Sequence, residues 1–88
     1  MNHLVFDDRF WAAPLECIVW ADEPTFKRVR FDLGPLVLEK LSGGENPVHH
    51  ERNLAVCERK RPQIENACRR AFVRRPAGCI RLAASDFV

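Results

Sequence analysis

Hydrophobic and charged positions alternate most cleanly in the middle of the chain. Val29, Phe31 and Leu33 are separated by Arg28, Arg30 and Asp32. A period of two describes a strand with one dry and one wet face, predicted here over 26–33. Two shorter runs of strand formers precede it. His3-Leu4-Val5-Phe6 reads as a first strand ended by Asp7-Asp8, and Leu15 to Trp20 as a second. Trp11, between them, is expected to fold back onto the core. Asp22-Glu23-Pro24 is a turn signal. Short polar links of this kind favour antiparallel neighbours.

Beyond Gly34 the period changes. Pro35 suits a first helical position, Leu36, Val37, Leu38 and Leu41 supply an apolar face, and Ser42-Gly43-Gly44 ends the element. Asn46-Pro47 repeats the start signal. The longest element then runs from Val48 to Arg75, with Leu54, Cys57, Arg61, Ile64, Cys68 and Ala71 at three–four spacing on one face. Pro62 removes an amide donor and is expected to kink this helix or split it. Pro76-Ala77-Gly78 stops it, and Cys79 to Ala83 alternates as a last strand.

The order strand-strand-strand-helix-helix-strand predicts an α+β fold. A mainly antiparallel four-stranded sheet would carry two helices on one face, the second kinked near Pro62. The pattern does not say which strand the last one joins.

A length of 88 residues makes residues 1–88 one domain, and a domain this short buries only about 60% of its unfolded surface. At 47% apolar and 30% charged, the composition is that of a folded chain. No segment approaches the roughly 18 consecutive apolar residues of a membrane helix. Asp7, Asp8 and Arg9 stand where a signal peptide would carry its apolar stretch. The expected compartment is therefore the cytoplasm, with no membrane partner. There Cys17, Cys57, Cys68 and Cys79 are expected to be reduced thiols.

Those cysteines do not form a ligand pattern. Zinc sites use close pairs such as C-x₂-C, whereas the nearest pair here, Cys57 and Cys68, is eleven positions apart. His49 and His50 are adjacent and would point about 100° apart on a helix. His50 and Cys57 share a face, but two further ligands would have to come from elsewhere. No metal, cofactor or disulfide is expected, and core packing is the expected role of Cys17, Cys57 and Cys68. Neither a G-x-S-x-G elbow nor a glycine-rich phosphate loop is present. The acid pairs Asp7-Asp8 and Asp22-Glu23 fall on turns. With no catalytic constellation, the reading leans against an enzyme and names no catalytic residue.

Charge is the feature that stands out. Net charge is only +2, yet residues 1–45 carry five basic and eight acidic side chains against nine and four in 46–88. Such asymmetry can signal a polyanionic partner, or two halves that attract each other within one fold. Opposite Cys57 on the long helix fall Arg52, Arg59 and Arg70, with Arg69 and Arg74 extending the charge. Arg61 instead lies in the apolar seam. Its stem can pack while the guanidinium reaches the edge, or it can pair with an acid or an anionic ligand. These six arginines are the candidate interaction surface. Glu51, Glu58 and Glu65 run along the flank, so a solvated, salt-bridged face is the simpler account.

Taken in order, several segments resemble the short bacterial proteins grouped as domain of unknown function 1488. The similarity spans almost the whole chain. Phe6 with Trp11 is similar to the family's opening strand and tryptophan, and Ile18-Val19-Trp20 to its second strand. Val37 to Leu41 is similar to its first helix, Arg61-Pro62-Gln63-Ile64-Glu65 to its R-x-x-I-E signature, and Ile80-Arg81-Leu82 with Asp86-Phe87 to its closing strand and Asp-Phe end. Phe26 and Phe31 depart from it, standing where a glycine and a cysteine are expected. The resemblance implies a compact α+β domain and brings no activity with it.

A non-enzymatic protein-interaction module is therefore expected, with an unidentified protein partner. Nucleic-acid backbone binding through the arginine-rich helix is the alternative. A homodimer is a further expectation if Ile18 and Trp20 share the sheet face that the helices leave open.

Overall fold

The computed structural model describes residues 3–87. Strands β1 (Val5–Ala13), β2 (Glu16–Glu23) and β3 (Lys27–Leu33) form an antiparallel meander. Helices α1 (Pro35–Ser42), α2 (His50–Arg59) and α3 (Arg61–Arg74) follow, then β4 (Cys79–Leu82) and a 3₁₀ turn at Ala84–Phe87. The sheet order is β1-β2-β3-β4. Strand β4 joins β3 in parallel, pairing Phe31 with Ile80 and Leu33 with Leu82. That settles the pairing the sequence left open, and it makes the sheet mixed though mostly antiparallel. Parallel neighbours need a long crossover, which the helices provide.

The alternation seen in the sequence becomes the two sheet faces. Cys17, Val19, Ala21, Val29, Phe31 and Leu33 point under the helices and are fully buried. Ile80 and Leu82 extend that face, while α2 crosses β1 and β2 and α3 packs on β4. Leu38, Ile64, Cys57 and Cys68 close the core from the helical side. Truncating Phe31 to alanine here would cost on the order of 3–5 kcal/mol, because a close-packed core cannot collapse into the space left.

Four elements differ from the sequence reading. Strand β2 does not end at Trp20 but runs on through Asp22-Glu23, which pair with Arg28 and Lys27, so the turn falls at 24–26 instead. Strand β1 does not end at Asp7-Asp8; it runs nine residues, with a register break between Phe6 and Phe10. Phe10 takes the core position at 3% exposure, so alternation turns Trp11 outward, and it is 51% exposed rather than folded onto the core. The long helix is split rather than kinked, so three helices cover the sheet instead of two. The chain leaves helical geometry at Lys60 (φ −99°, ψ 17°), and Pro62 sits in the first turn of α3. Proline's missing donor costs nothing there, since first-turn amides have no partner within the helix. Finally, α2 begins at His50 rather than at Val48. Asn53 holds the preceding turn by donating to the carbonyls of Pro47 and Ala13, both at 2.9 Å.

Helix α1 starts and stops as its residues suggest. Pro35 occupies the first turn, and Gly43 at φ 85° ends the helix in the left-handed conformation that glycine tolerates best.

Candidate interaction surface

The helices cover one side of the sheet and leave the other open. Alternation places Trp11, Ile18, Trp20, Asp22, Arg28, Arg30, Asp32, Cys79 and Arg81 on that open side, because their neighbours in sequence fill the core. Trp11 lies directly across from Ile18, and Trp20 is the next residue on the same face of β2. Ile18 and Trp20 are half-buried by their neighbours. The three form an apolar stripe across β1 and β2. Where that face runs out, His3, Val5, Asp22, Glu23, Pro24 and Lys27 line a shallow depression of about 620 Å³.

Charges flank the stripe, and those of Arg28 and Arg30 are matched within the chain. Arg28 bridges Asp7 at 2.8 Å and Asp22 at 2.9 Å. Its guanidinium also stands 5.3 Å from the Trp20 ring centroid. Arg30 pairs with Asp32 at 2.6 Å and approaches Glu16 at 3.5 Å. Arg9 lies over Trp11 at 4.5 Å. The hydrogen bond from Arg28 holds the Asp7 carboxyl below the usual carboxylate range.

The six arginines singled out in the sequence do not form one strip. Arg52 and Arg59 are exposed on α2 and make no ion pair among the described residues. Arg61 turns inward: its Nη1 donates to the Asp7 carbonyl at 3.1 Å and to Glu65 at 3.2 Å, its Nη2 donates to the Asp8 carbonyl, and its guanidinium covers the Phe10 ring at 4.3 Å. Arg69 lies 3.9 Å from Glu65 and 5.1 Å from the Phe6 centroid. Arg70 donates twice to the Asp86 carbonyl, at 3.1 and 2.6 Å. Arg74 stands 3.8 Å from the Asp86 carboxylate.

Asp86 is buried to 1% exposure and is the hub of the C-terminal turn. It accepts from Arg75 at 2.9 Å and from the Ala83 amide at 2.8 Å. Burial alone would raise its carboxyl; the Arg75 hydrogen bond, the Ala83 amide and the charges of Arg75 and Arg74 outweigh it and hold the group below the usual range. Cys57 lies against Cys17 in the core, and that contact with burial pushes its thiol up; burial does the same to Cys68. Neither is a nucleophile at neutral pH. Among the described residues no three His, Cys, Asp or Glu side chains cluster to hold a metal, and no helix is long and apolar enough to cross a membrane.

No family model matches the chain, and no curated protein does. The fold is similar to the crystal structure of a protein of unknown function from Shewanella loihica PV-4, with a TM-score of 0.78, 18% identity, and 93% of each chain covered. That neighbour belongs to the domain of unknown function 1488 family. It is the family the sequence resembles, and at this identity the likeness is one of fold.

The sequence reading missed Trp11 and the paired charges around it. Phe6, Phe10 and Ala12 do keep the even positions of β1 inward. Asp8, polar at an even position, hid that pattern.

Proposed function

We propose that this chain is a non-catalytic protein-interaction module that docks through the open face of its sheet. The supporting observation is the stripe of Trp11, Ile18 and Trp20 bordered by Arg28 and Arg30, whose charges are met by the chain's own carboxylates. Tryptophan and arginine are the side chains that most often anchor protein interfaces. A partner meeting this face gains apolar burial and does not need to supply counter-charges to Arg28 or Arg30. A phosphate backbone would have to displace Asp7, Asp22, Asp32 and Glu16 first, which disfavours nucleic acid on this side.

Both tryptophans of the chain lie on this face, so intrinsic fluorescence reports its occupancy. Docking is expected to shift emission to the blue and to protect it from acrylamide. Sedimentation of the purified chain reads separately whether the partner is a second copy. Nucleic-acid binding is carried by one observation, the unpaired exposure of Arg52 and Arg59 on α2. It predicts a mobility shift with mixed RNA and DNA that weakens steeply with salt and is lost when Arg52 and Arg59 become Glu.

A further inference from the structure

On the helical side, remote from the open sheet face, α1, the α2–α3 junction, α3 and the C-terminal turn enclose a cleft of about 350 Å³. Lys40, Lys60 and Arg70 stand on its walls with the amide side chains of Gln63 and Asn66, while Leu41 and Phe87 give it an apolar side. No carboxylate lines it. Lys40 and Lys60 make no ion pair among the described residues. Arg70 is fixed in place, because its Nε and Nη2 are held by the Asp86 carbonyl. Its Nη1 makes no hydrogen bond among the described residues. Arg28, Arg30 and Arg75 are met by acids, whereas Arg9, Arg52, Arg59 and Arg81 make no ion pair among the described residues but are not gathered around one cleft with other cations. What sets this cleft apart is convergence: three cations reach it from α1, the α2–α3 junction and α3, with no carboxylate in its lining.

We infer that this cleft is a binding site for a small phosphate-bearing molecule. Phosphate takes up charge-assisted hydrogen bonds from several donors at once, and Lys40, Lys60, Arg70, Gln63 and Asn66 can supply them together. Its volume falls in the range of small-molecule sites and accommodates a phosphomonoester with a body of nucleoside size. Phe87 and Leu41 offer that body an apolar surface. The inference is independent of the sheet-face reading, since the two surfaces share no residue.

Isothermal titration with inorganic phosphate, adenosine monophosphate and adenosine tests it on the intact chain. Phosphate and the monophosphate are expected to bind, the monophosphate more tightly, and adenosine not to bind measurably. Lys40 is exposed and Lys60 half-buried, and neither belongs to the core; Lys40→Gln and Lys60→Gln are each expected to weaken the monophosphate by about tenfold, as the loss of one charge-assisted hydrogen bond implies. Circular dichroism of both variants checks that the fold is kept. No heat from phosphate or monophosphate at millimolar concentration overturns the site. Binding that both variants leave unchanged overturns it equally, because the anion then sits elsewhere. Adenosine binding as tightly as its monophosphate overturns the phosphate assignment.

Discussion

The guanidinium of Arg61 lies 4.3 Å from the Phe10 ring centroid and donates to the carbonyls of Asp7 and Asp8. Those residues occupy the register break of β1, where the strand has no Cα partner on β2. A bulge leaves backbone groups unpaired by the ladder, and an unmet carbonyl under a helix is costly. Arg61, at the start of α3, meets both. It thereby ties α3 to β1 and keeps Phe10 in the core, from which Trp11 is turned to the open face.

Arg61→Ala is therefore expected to destabilise the chain by about 2 kcal/mol, the scale of charged hydrogen bonds lost together with a cation–π contact. Arg61→Lys should recover only a minor part, because an ammonium cannot reach two carbonyls and cover a ring at once. Urea denaturation of the three proteins checks this. Full recovery by lysine would mean that the charge alone matters.

Asp86 is the buried acid on which the C-terminal turn depends. Asp86→Asn is expected to cost about 1–2 kcal/mol, since it removes the charge that the hydrogen bonds from Arg75 and the Ala83 amide meet. The pH dependence follows from the lowered native pKa. A carboxyl that is more acidic in the folded than in the unfolded chain contributes fully above its unfolded value of about 3.9 and loses that contribution as pH falls through the native value. Asp7, lowered by Arg28, acts in the same direction. Stability measured from pH 6 downward should fall in the wild type below about pH 5 and fall less steeply in Asp86→Asn.

Thiol chemistry should separate the cysteines. Cys79 is exposed, and Cys17, Cys57 and Cys68 are buried. An aromatic disulfide reagent at neutral pH is expected to titrate one thiol in the native chain and all four after unfolding. Rapid modification of more than one thiol in the native chain would show that the core opens far more readily than its packing implies.

Much of this architecture was readable from periodicity. Val29, Phe31 and Leu33 marked the core face of β3 because burial on one side of a sheet enforces a period of two. Leu36 to Leu41 and Ile64 to Phe72 marked helices by the three–four spacing. The bulge of β1 was not readable, because what stabilises it is Arg61, more than fifty residues away. Helix α2 and α3 looked like one element because the seam positions continue in phase across Lys60. The arginines looked alike in sequence as well. Only the fold reveals that Arg61 and Arg70 spend donors on backbone carbonyls, while Arg52 and Arg59 face solvent.

Trp11→Glu puts the docking account to its most direct test. At 51% exposure and with its neighbours in the core unchanged, the substitution is expected to shift stability by less than about 1 kcal/mol. Tagged wild-type and variant chains are used to capture partners from a cell extract treated with nuclease, then washed at about 0.5 M salt, where exposed charge pairs are largely screened. The account predicts a defined protein retained by the wild type through the wash, lost with Trp11→Glu, and able to shift the tryptophan emission of the purified chain to the blue. A partner that Trp11→Glu retains as well as the wild type, or retention that requires intact nucleic acid and disappears with Arg52→Glu and Arg59→Glu, would contradict it.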